Sequence, residues 1–272
     1  MKLLPWDYGV RNLGRSKLRL AISLGGSMLV VLLIVTAGGF VVGMRKSLVA
    51  SGSPHNVILL GAGSEESVER SELSPAVADI VYASVPGIRS SLGVPHVSPE
   101  VQLMLSLNLS ASPADAVPAQ LRGVSPAAFL VHRGLQIVEG RAPHAGADEM
   151  LAGSLAHRRM GLAASRLELG QKLWLDGRPW TIVGRFEAPG TVMEAEIWLP
   201  LRDLQVATRR DSLSNVVLTL DDAELADIEV FCAQRTDLEV VAVRETDYYA
   251  SLARFYQPVR MIVWLTALLV AG

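Results

Sequence analysis

The sequence predicts a membrane protein in which a transmembrane helix is followed by an α+β extracytoplasmic domain with mixed sheets and two subdomains. Three observations lead to this fold class. A long stretch, Leu20–Met44, contains no charged side chain, and basic residues precede it. Between residues 45 and 256, short runs with strand-like alternation are interleaved with runs that have helical apolar spacing. A second uncharged run, Met261–Gly272, follows at the end of the sequence.

The uncharged stretch Leu20–Met44 is long enough to cross a bilayer, which takes about 20 apolar residues in a helix. A cleaved signal peptide is the main alternative, but its apolar part normally has about 7–15 residues. A buried helix of a soluble protein is the other alternative. The length favours an uncleaved membrane helix over residues 20–44. Within it, Gly39 and Gly43 form a G-x-x-x-G pattern that lets a second helix pack closely, although glycine is common in membrane helices generally.

Basic residues before the apolar stretch predict its orientation. They are Lys2, Arg11, Arg15, Lys17 and Arg19, against one acidic residue, Asp7. Just after the stretch come only Arg45 and Lys46. Because cytoplasmic flanks carry the excess of Lys and Arg, we expect residues 1–19 in the cytoplasm and residues 45–256 outside. The segment 1–19 fits either a short amphipathic helix on the inner membrane face or an ordinary basic flank.

The external segment reads as a mixed α+β domain. Strands are predicted at residues 55–61, 100–110, 119–125, 134–141, 148–153, 194–201, 214–220 and 238–245, with a hairpin at 169–190 that turns at Asp176-Gly177. Helices are predicted at residues 74–88, 154–162, 201–210, 221–235 and from 245 onward. Ser154 is the expected cap of the second of these helices.

The final run Met261–Gly272 is too short to span a membrane, because it would rise about 18 Å against a hydrocarbon core of about 30 Å. It fits either a buried helix that closes a soluble domain or the front half of a membrane helix. The residues alone leave both interpretations open.

Motifs for nucleotide, metal or covalent chemistry are absent from the sequence. It has no G-x-x-x-x-G-K-[ST] and no G-x-S-x-G, and its five histidines are scattered without metal-site spacing. The adjacent carboxylates Glu65-Glu66 and Asp148-Glu149 are expected to be solvated loop charge, and Cys232 a buried small hydrophobe in a helix. We therefore expect no catalytic residues, metal or cofactor on this chain. With 25 basic and 27 acidic residues, it also has no nucleic-acid-binding footprint.

The order of motifs in the second half of the external segment resembles the extracytoplasmic domain of MacB/FtsX-type ABC transporter permeases. The matching residues are a Gly-Arg turn at Gly140-Arg141, the acidic pair Asp148-Glu149, then Leu169-Gly170 and the strand Trp180–Phe186. The head of the chain, RNLGRSKLRL followed by a glycine-bearing span, is also similar to this family. The resemblance covers nearly all of the chain and is most specific between residues 134 and 204.

This resemblance implies a topology and a mechanism. Family members have four membrane helices, with the external domain between the first and the second. Residues 257–272 would then begin the second membrane helix, and the chain would be the first part of a longer permease. ATP-driven closure in the cytoplasm would move the external domain through stalk helices, here Glu245–Pro258. ATP would bind to a partner ATPase and not to this chain.

The resemblance also implies partners and a location. They are a cytoplasmic ABC ATPase, a second permease subunit in a homo- or heterodimer, and the lipid bilayer of the bacterial inner membrane, while a periplasmic adaptor is left open. We interpret the chain as a non-enzymatic permease subunit that works by mechanotransmission in export, lipoprotein extraction or envelope regulation. A membrane-anchored sensory or binding ectodomain without an ATPase partner is the alternative, and an envelope hydrolase is a third.

Topology can be tested by cysteine labelling, since the basic flank places the N-terminus in the cytoplasm. With the native Cys232 replaced by Ala, a cysteine introduced at Ser64 should react with a membrane-impermeant thiol reagent added to intact cells. A cysteine introduced at Asn12 should react only after the membrane is permeabilised. The reverse labelling pattern would overturn the predicted orientation.

Overall fold

The computed structural model describes residues 17–254, together with 261–262 and 265–266. These residues fall into two compact units. One comprises the residues up to Lys46 together with those from Ala253 onward, and the other is Ser47–Leu252.

A single long helix, α1 (Lys17–Ser51), contains the predicted membrane span. Within the described residues it is the one helix long and apolar enough to cross a membrane, over Leu20–Ser51. It continues past the expected end at Met44, because residues 45–51 contain no helix breaker and Gly52-Ser53-Pro54 follows. Lys17 and Arg19 of the predicted cytoplasmic flank therefore belong to α1.

Other predictions for the flanks are only partly covered by the described residues. Lys2, Arg11, Arg15 and the predicted amphipathic helix lie outside them. In the run 257–272, the described residues Met261, Ile262, Leu265 and Thr266 are helical. Apart from the backbone of α1 itself, a Cβ atom added at Gly39 or Gly43 would meet no atom of the described residues within 4 Å, so helix packing at this motif stays a prediction.

The unit Ser47–Leu252 contains all the strands of the described residues. They are β1 (Asn56–Gly61), β2 (Ser90–Ser91), β3 (Val94–Pro95), β4 (Val97–Asn108), β5 (Ala116–Val124), β6 (Gln136–Gly140), β7 (Glu149–Gly153), β8 (Lys172–Leu175), β9 (Arg178–Glu187), β10 (Glu196–Pro200), β11 (Asn215–Thr219) and β12 (Val240–Arg244). Every predicted strand is present, whereas the two-residue strands β2 and β3 were not predicted.

Short helices connect the strands. They are α2 (Val77–Ser84), α3 (Ala128–Val131), α4 (Ala156–Arg159), α5 (Leu201–Thr208), α6 (Leu225–Gln234) and α7 (Glu245–Arg254). Helix α3 was not predicted, and the expected stalk Glu245–Pro258 is helical as far as Arg254, beyond which its residues lie outside the described part. Cys232 lies in α6 and is partly buried against the main core.

Ten strands form one mixed sheet, in which nine follow the order β12-β1-β11-β4-β5-β10-β7-β9-β6 and β8 lies off this path. The first five strands of this order pair antiparallel with one another, whereas β5 with β10 and β7 with β9 are parallel pairs. Strand β8 pairs with β9 and also touches the end of β4. The strands β4, β5, β10, β7, β9 and β8 therefore close into a ring.

The mixed α+β fold class is confirmed, but the expected division into two subdomains is not seen. Residues 47–252 form one compact unit. The physical reason is the long strand β4, which pairs with β11 near its start and with β8 at its end. It is therefore shared by the open antiparallel half of the sheet and the closed ring.

Two local predictions had opposite outcomes. The hairpin turn is confirmed: Asp176 and Gly177 both have positive φ, 51° and 74°, as a two-residue type I′ turn between β8 and β9 requires. The prediction that Ser154 caps a helix is wrong. Helix α4 begins after Leu155 without a side-chain cap, and the Ser154 hydroxyl instead donates to Glu194 Oε1 at 3.0 Å.

The core position of Ile182 provides a test of the register of β9. Its side chain is fully buried in the main hydrophobic cluster. Replacing it with Asp would bury an unpaired charge, so Ile182→Asp should lower the free energy of unfolding of an isolated 47–255 fragment by several kcal/mol. The control is Lys172→Asp on the neighbouring strand, where the side chain is exposed and the expected change is within about 0.5 kcal/mol.

Urea denaturation of both variants measures the difference. We expect the unaltered fragment to be soluble and folded without metal or nucleotide. An Ile182→Asp fragment with an unchanged unfolding midpoint would contradict the assigned face of β9.

Candidate functional site

The motif at residues 140–149 forms a surface loop held by an ion pair between Arg141 and Glu149, which we call the clip. The Arg141 guanidinium donates to both carboxylate oxygens of Glu149, one of them at 2.6 Å, and the His144 amide donates to Glu149 at 2.8 Å. The hydrogen bond from Arg141 is the main reason that the pKa of Glu149 is lowered to about 2. Gly140 has a positive φ, and a Cβ there would overlap the Val183 carbonyl.

The adjacent acids Asp148 and Glu149 point to different partners, as expected for neighbours in sequence. Asp148 accepts a hydrogen bond from Arg178 at 2.6 Å, whereas Glu149 pairs with Arg141. The prediction of solvated charge is wrong for Glu149, whose side chain is only 12% exposed. The clip holds the loop between β6 and β7 in place, and we assign it a structural role.

A second group of charged residues is fully enclosed, and we call Glu100, Arg122, His132 and Glu196 the buried ion cluster. The Arg122 guanidinium donates from Nε and Nη2 to Glu196, at 2.7 and 2.8 Å. Its Nη1 donates to Glu100 at 2.6 Å. The side chain of Arg122 is 2% exposed and that of Glu100 is 0% exposed. One guanidinium therefore joins two buried carboxylates.

Strand register brings these side chains together. Glu100, Arg122 and Glu196 lie on the adjacent strands β4, β5 and β10, where Arg122 is opposite Gln102 of β4 and Trp198 of β10. The Trp198 indole donates to Glu196 at 2.8 Å, and its ring lies 5.6 Å from the Arg122 guanidinium carbon. The aromatic ring thus covers the charged centre of the sheet and excludes water from it.

His132, directly after α3, completes the cluster from outside the sheet. Its Nε2 lies 2.7 Å from Glu100 Oε1, which also accepts a hydrogen bond from the Ser98 hydroxyl. Burial alone would lower the pKa of His132, but the charge and hydrogen bond of Glu100 outweigh it and raise that pKa. Burial opposes the ionised form of Glu100 as well, yet His132 and Arg122 lower its pKa to about 2.

Next to the cluster, the end of α1 meets the start of α7, and we call residues 51–56 with residues 245–249 the junction. Glu245 Oε2 accepts hydrogen bonds from the Ser53 amide at 2.8 Å and from Asn56 Nδ2 at 2.9 Å. A Cβ added at Gly52 would lie 2.8 Å from Thr246 Cα, so the two backbones are in direct contact. The first turn of α7 is therefore fastened to the segment that leaves α1.

Other hydrogen bonds hold both sides of the junction to the rest of the domain. The Ser51 hydroxyl accepts a hydrogen bond from the Val192 amide at 2.9 Å, next to β10. Asn56 Oδ1 accepts one from the Thr219 hydroxyl at the end of β11. The Tyr248 hydroxyl accepts one from the Val68 amide. Both sides of the junction are thus fixed by hydrogen bonds to segments next to the strands that carry the buried ion cluster.

A cavity of about 250 Å³ opens at the junction. Its polar lining includes Ser51, Asn56, His132 and Glu245, and apolar side chains such as Leu135 and Met193 complete it. Among the described residues there is no group of three or more His, Cys, Asp or Glu side chains that could hold a metal ion. The cavity and the buried charges together are the candidate functional site.

Sequence reasoning missed the buried ion cluster. Glu100, Arg122 and Glu196 lie within three of the predicted strands, and His132 is one of the five scattered histidines. A charged residue inside each of three predicted strands was the available signal. It does not identify the partners, however, because the bonded residues lie 22, 32 and 74 positions apart in the sequence. The predicted site residues Gly39 and Gly43 lie on α1.

Removing the central cation should be strongly destabilising. Arg122→Met keeps much of the side-chain volume but leaves Glu100 and Glu196 buried without their shared partner, so the unfolding free energy should fall by about 3–5 kcal/mol. Arg185→Met is the matched control, because the Arg185–Glu139 pair is solvent-exposed and should contribute less than about 1 kcal/mol. Equal unfolding midpoints for the two variants would show that the cluster does not support the fold.

Comparison with known proteins identifies the fold. The family model of the MacB-like periplasmic core domain matches residues 20–229. Among curated proteins, none matches this chain in sequence. Among solved structures, the periplasmic region of MacB from Actinobacillus actinomycetemcomitans is similar with a TM-score of 0.54 and 13% identity, over 74% of this chain and 94% of the other.

The extracellular domain of YknZ, described as a noncanonic ABC-type transporter from Gram-positive bacteria, is similar with a TM-score of 0.51 and 13% identity. That match covers 69% of this chain and 99% of the other. At this identity the two structures establish the fold alone, and the family match covers most of the chain. The chain belongs to the family of the MacB-like periplasmic core domain, found in permease-type proteins of ABC transporters, and combines an extracytoplasmic domain of that kind with an apolar N-terminal helix.

Proposed function

We propose that this chain is a permease subunit that couples ATP hydrolysis by a cytoplasmic partner to movement of its extracytoplasmic domain. The observation that carries the proposal is the junction, where the end of α1 is fastened to the first turn of α7 through Gly52 and Glu245. A permease of this type needs such a mechanical connection, because a signal that enters along a helix has to reach the sheet without being lost in a flexible linker.

The described geometry supports force transmission in three respects. Helix α1 is continuous from Lys17 to Ser51, so no break in the backbone separates its apolar part from the junction. The contact between Gly52 and Thr246 is between backbones, which cannot be relieved by a change of side-chain rotamer. Hydrogen bonds that Ser51 accepts from the Val192 amide and Asn56 accepts from the Thr219 hydroxyl extend the connection toward the sheet.

The buried ion cluster fits the same role because it stiffens the sheet at the place where the junction attaches. Separating the partners of a buried salt bridge leaves charges buried and unpaired, which strongly destabilises the protein. The partners are therefore held in a fixed geometry. Glu100, Arg122 and Glu196 link three adjacent strands in this way. Movement of the junction would therefore displace these strands as a group.

The proposal includes partners and a location. ATP binds to an ABC ATPase in the cytoplasm, the chain has no catalytic site of its own, and the permease works as a homo- or heterodimer in the bacterial inner membrane. The N-terminus lies in the cytoplasm, in agreement with the basic residues before the apolar stretch. An adaptor outside the membrane would add to this assembly and is not required by the proposed mechanism.

Interrupting α7 tests the coupling. Four Gly/Ser residues inserted after Ala250, an exposed position of α7, should leave assembly and basal ATPase activity of the complete permease with its ATPase largely intact. Transport or partner activation should be abolished, because a flexible coil does not transmit displacement. The measurement compares ATP hydrolysis with the transported or activated output.

Four Ala residues inserted at the same point are the control. They preserve a helix and rotate its register by about 40°, so this variant should retain more activity than the Gly/Ser variant. Full and equal output from both variants would identify α7 as a passive linker. That outcome would favour a membrane-anchored sensory or binding ectodomain that works without an ATPase.

A further inference from the structure

The charges near the junction do not balance when every acid is ionised. Arg122 and His132 face the carboxylates of Glu100 and Glu196, which leaves Glu245 as a third buried carboxylate. Glu245 is 2% exposed and forms no ion pair among the described residues. An ionised carboxylate in such a place is unfavourable unless a cation or a proton neutralises it.

The hydrogen bonds around Glu245 leave a place for that proton. Oε2 accepts from the Ser53 amide and from Asn56 Nδ2. Among the described residues no hydrogen bond reaches Oε1, and none reaches Nδ1 of His132, whose Nε2 is engaged by Glu100. Both side chains line the 250 Å³ cavity. A proton on Oε1 would thus be compatible with both hydrogen bonds that fasten the junction.

The cavity also provides the route by which this proton is exchanged. Its volume of about 250 Å³ is several times the roughly 30 Å³ that one water molecule occupies in the liquid. Water in the cavity can carry a proton to or from Glu245. When Glu245 is ionised, further water is drawn toward the charge, into the space beside the contact of Gly52 with Thr246.

We propose that the junction is a proton-operated latch, closed when Glu245 is protonated and loosened when Glu245 is ionised. In the closed state a neutral carboxyl group ties the exit of α1 to the first turn of α7. In the loosened state the surplus negative charge is hydrated, and the segment 52–56 separates from α7. The inference deepens the proposed function by adding regulation by pH at the same site, but its test needs no ATPase.

Charged and titratable groups face Glu245 from four other elements as well as from α7. They are His132 and Arg133 at the end of α3, Glu100 on β4, Arg122 on β5, Glu196 on β10, and Tyr249 on α7. Burial raises the pKa of Glu245, and repulsion from Glu100 adds to this, whereas His132 and the hydrogen bonds at Oε2 oppose it; the net direction is upward. The direction agrees with a proton held at Glu245.

The sign of the pH effect follows from this direction. A carboxyl group with a raised pKa in the folded state binds its proton more tightly there, so it weakens the junction as the pH rises from about 4.5 through the folded pKa. His132, whose pKa is also raised, adds a loss of stability in the same direction above about 6.5. Glu100 acts only below about pH 4.5, because its pKa is lowered to about 2.

The test is hydrogen exchange of the whole chain in lipid nanodiscs, with rates corrected for the intrinsic effect of pH. Protection of the Ser53 amide, which donates to Glu245, should fall by about tenfold for each unit by which the folded pKa exceeds the unfolded one. Glu245→Gln imitates the protonated form, since its amide oxygen can accept the same two hydrogen bonds. At high pH this variant should protect Ser53 better than the unaltered chain, and the loss of protection that remains above about pH 6.5 is that of His132.

Asp247→Asn is the matched control, because Asp247 lies in the same turn of α7 but is exposed. It should keep the pH dependence of the unaltered chain. The latch is overturned when Glu245→Gln protects Ser53 no better at high pH than the unaltered chain. It is also overturned when the unaltered chain shows no pH dependence at Ser53.

Infrared spectroscopy of the unaltered chain gives a second readout that does not depend on the folding of a variant. A protonated carboxyl C=O band should disappear on raising the pH in the same range in which Ser53 protection falls. The band should be missing in Glu245→Gln and present in Asp247→Asn. A spectrum without a carboxyl band that titrates with Ser53 protection would contradict the latch, while leaving mechanical coupling through α7 to be judged by the insertion experiment.

Discussion

The bidentate and single hydrogen bonds of the Arg122 guanidinium are the constraint on which the rest of the external domain depends. They fix three neighbouring strands in one register, because Glu100, Arg122 and Glu196 can meet only when β4, β5 and β10 are aligned as observed. A slip of one residue would turn each charged side chain to the opposite face of the sheet. A buried ion pair of this kind adds little net stability to the fold. A strand arrangement that separates its partners would leave a buried charge unpaired and would be destabilised.

Most of the secondary structure was predictable from the sequence because it depends on local patterns. Alternation identified β9, the Asp176-Gly177 pair identified its hairpin, and the absence of charge identified α1. Helix α1 extends beyond the uncharged stretch, since the first charge is Arg45 whereas helix geometry persists through Ser51. The span buried in a membrane and the full length of the helix are different properties. The distribution of charged residues in the sequence predicts only the membrane span.

The candidate site was not predictable in the same way. Its members belong to β4, β5, β10, the end of α3 and the start of α7, and they are brought together only by the order of strands in the sheet. That order is non-local: β5 pairs with β10, and β11 inserts between β1 and β4. The closed ring also explains why the expected boundary between two subdomains is missing, as a shared strand cannot be divided between two independent cores.

The seam of this ring is uneven, and this determines how the domain opens. Strand β4 pairs with β5 continuously from Glu100 to Asn108, but it meets β8 only through Asn108 and Trp174. Local openings are least costly where the fewest backbone hydrogen bonds are broken. The ring therefore has one weak side: thermal fluctuation separates β8 from β4 first, while β9 stays paired with β7 and the strands that carry the buried charges remain closed.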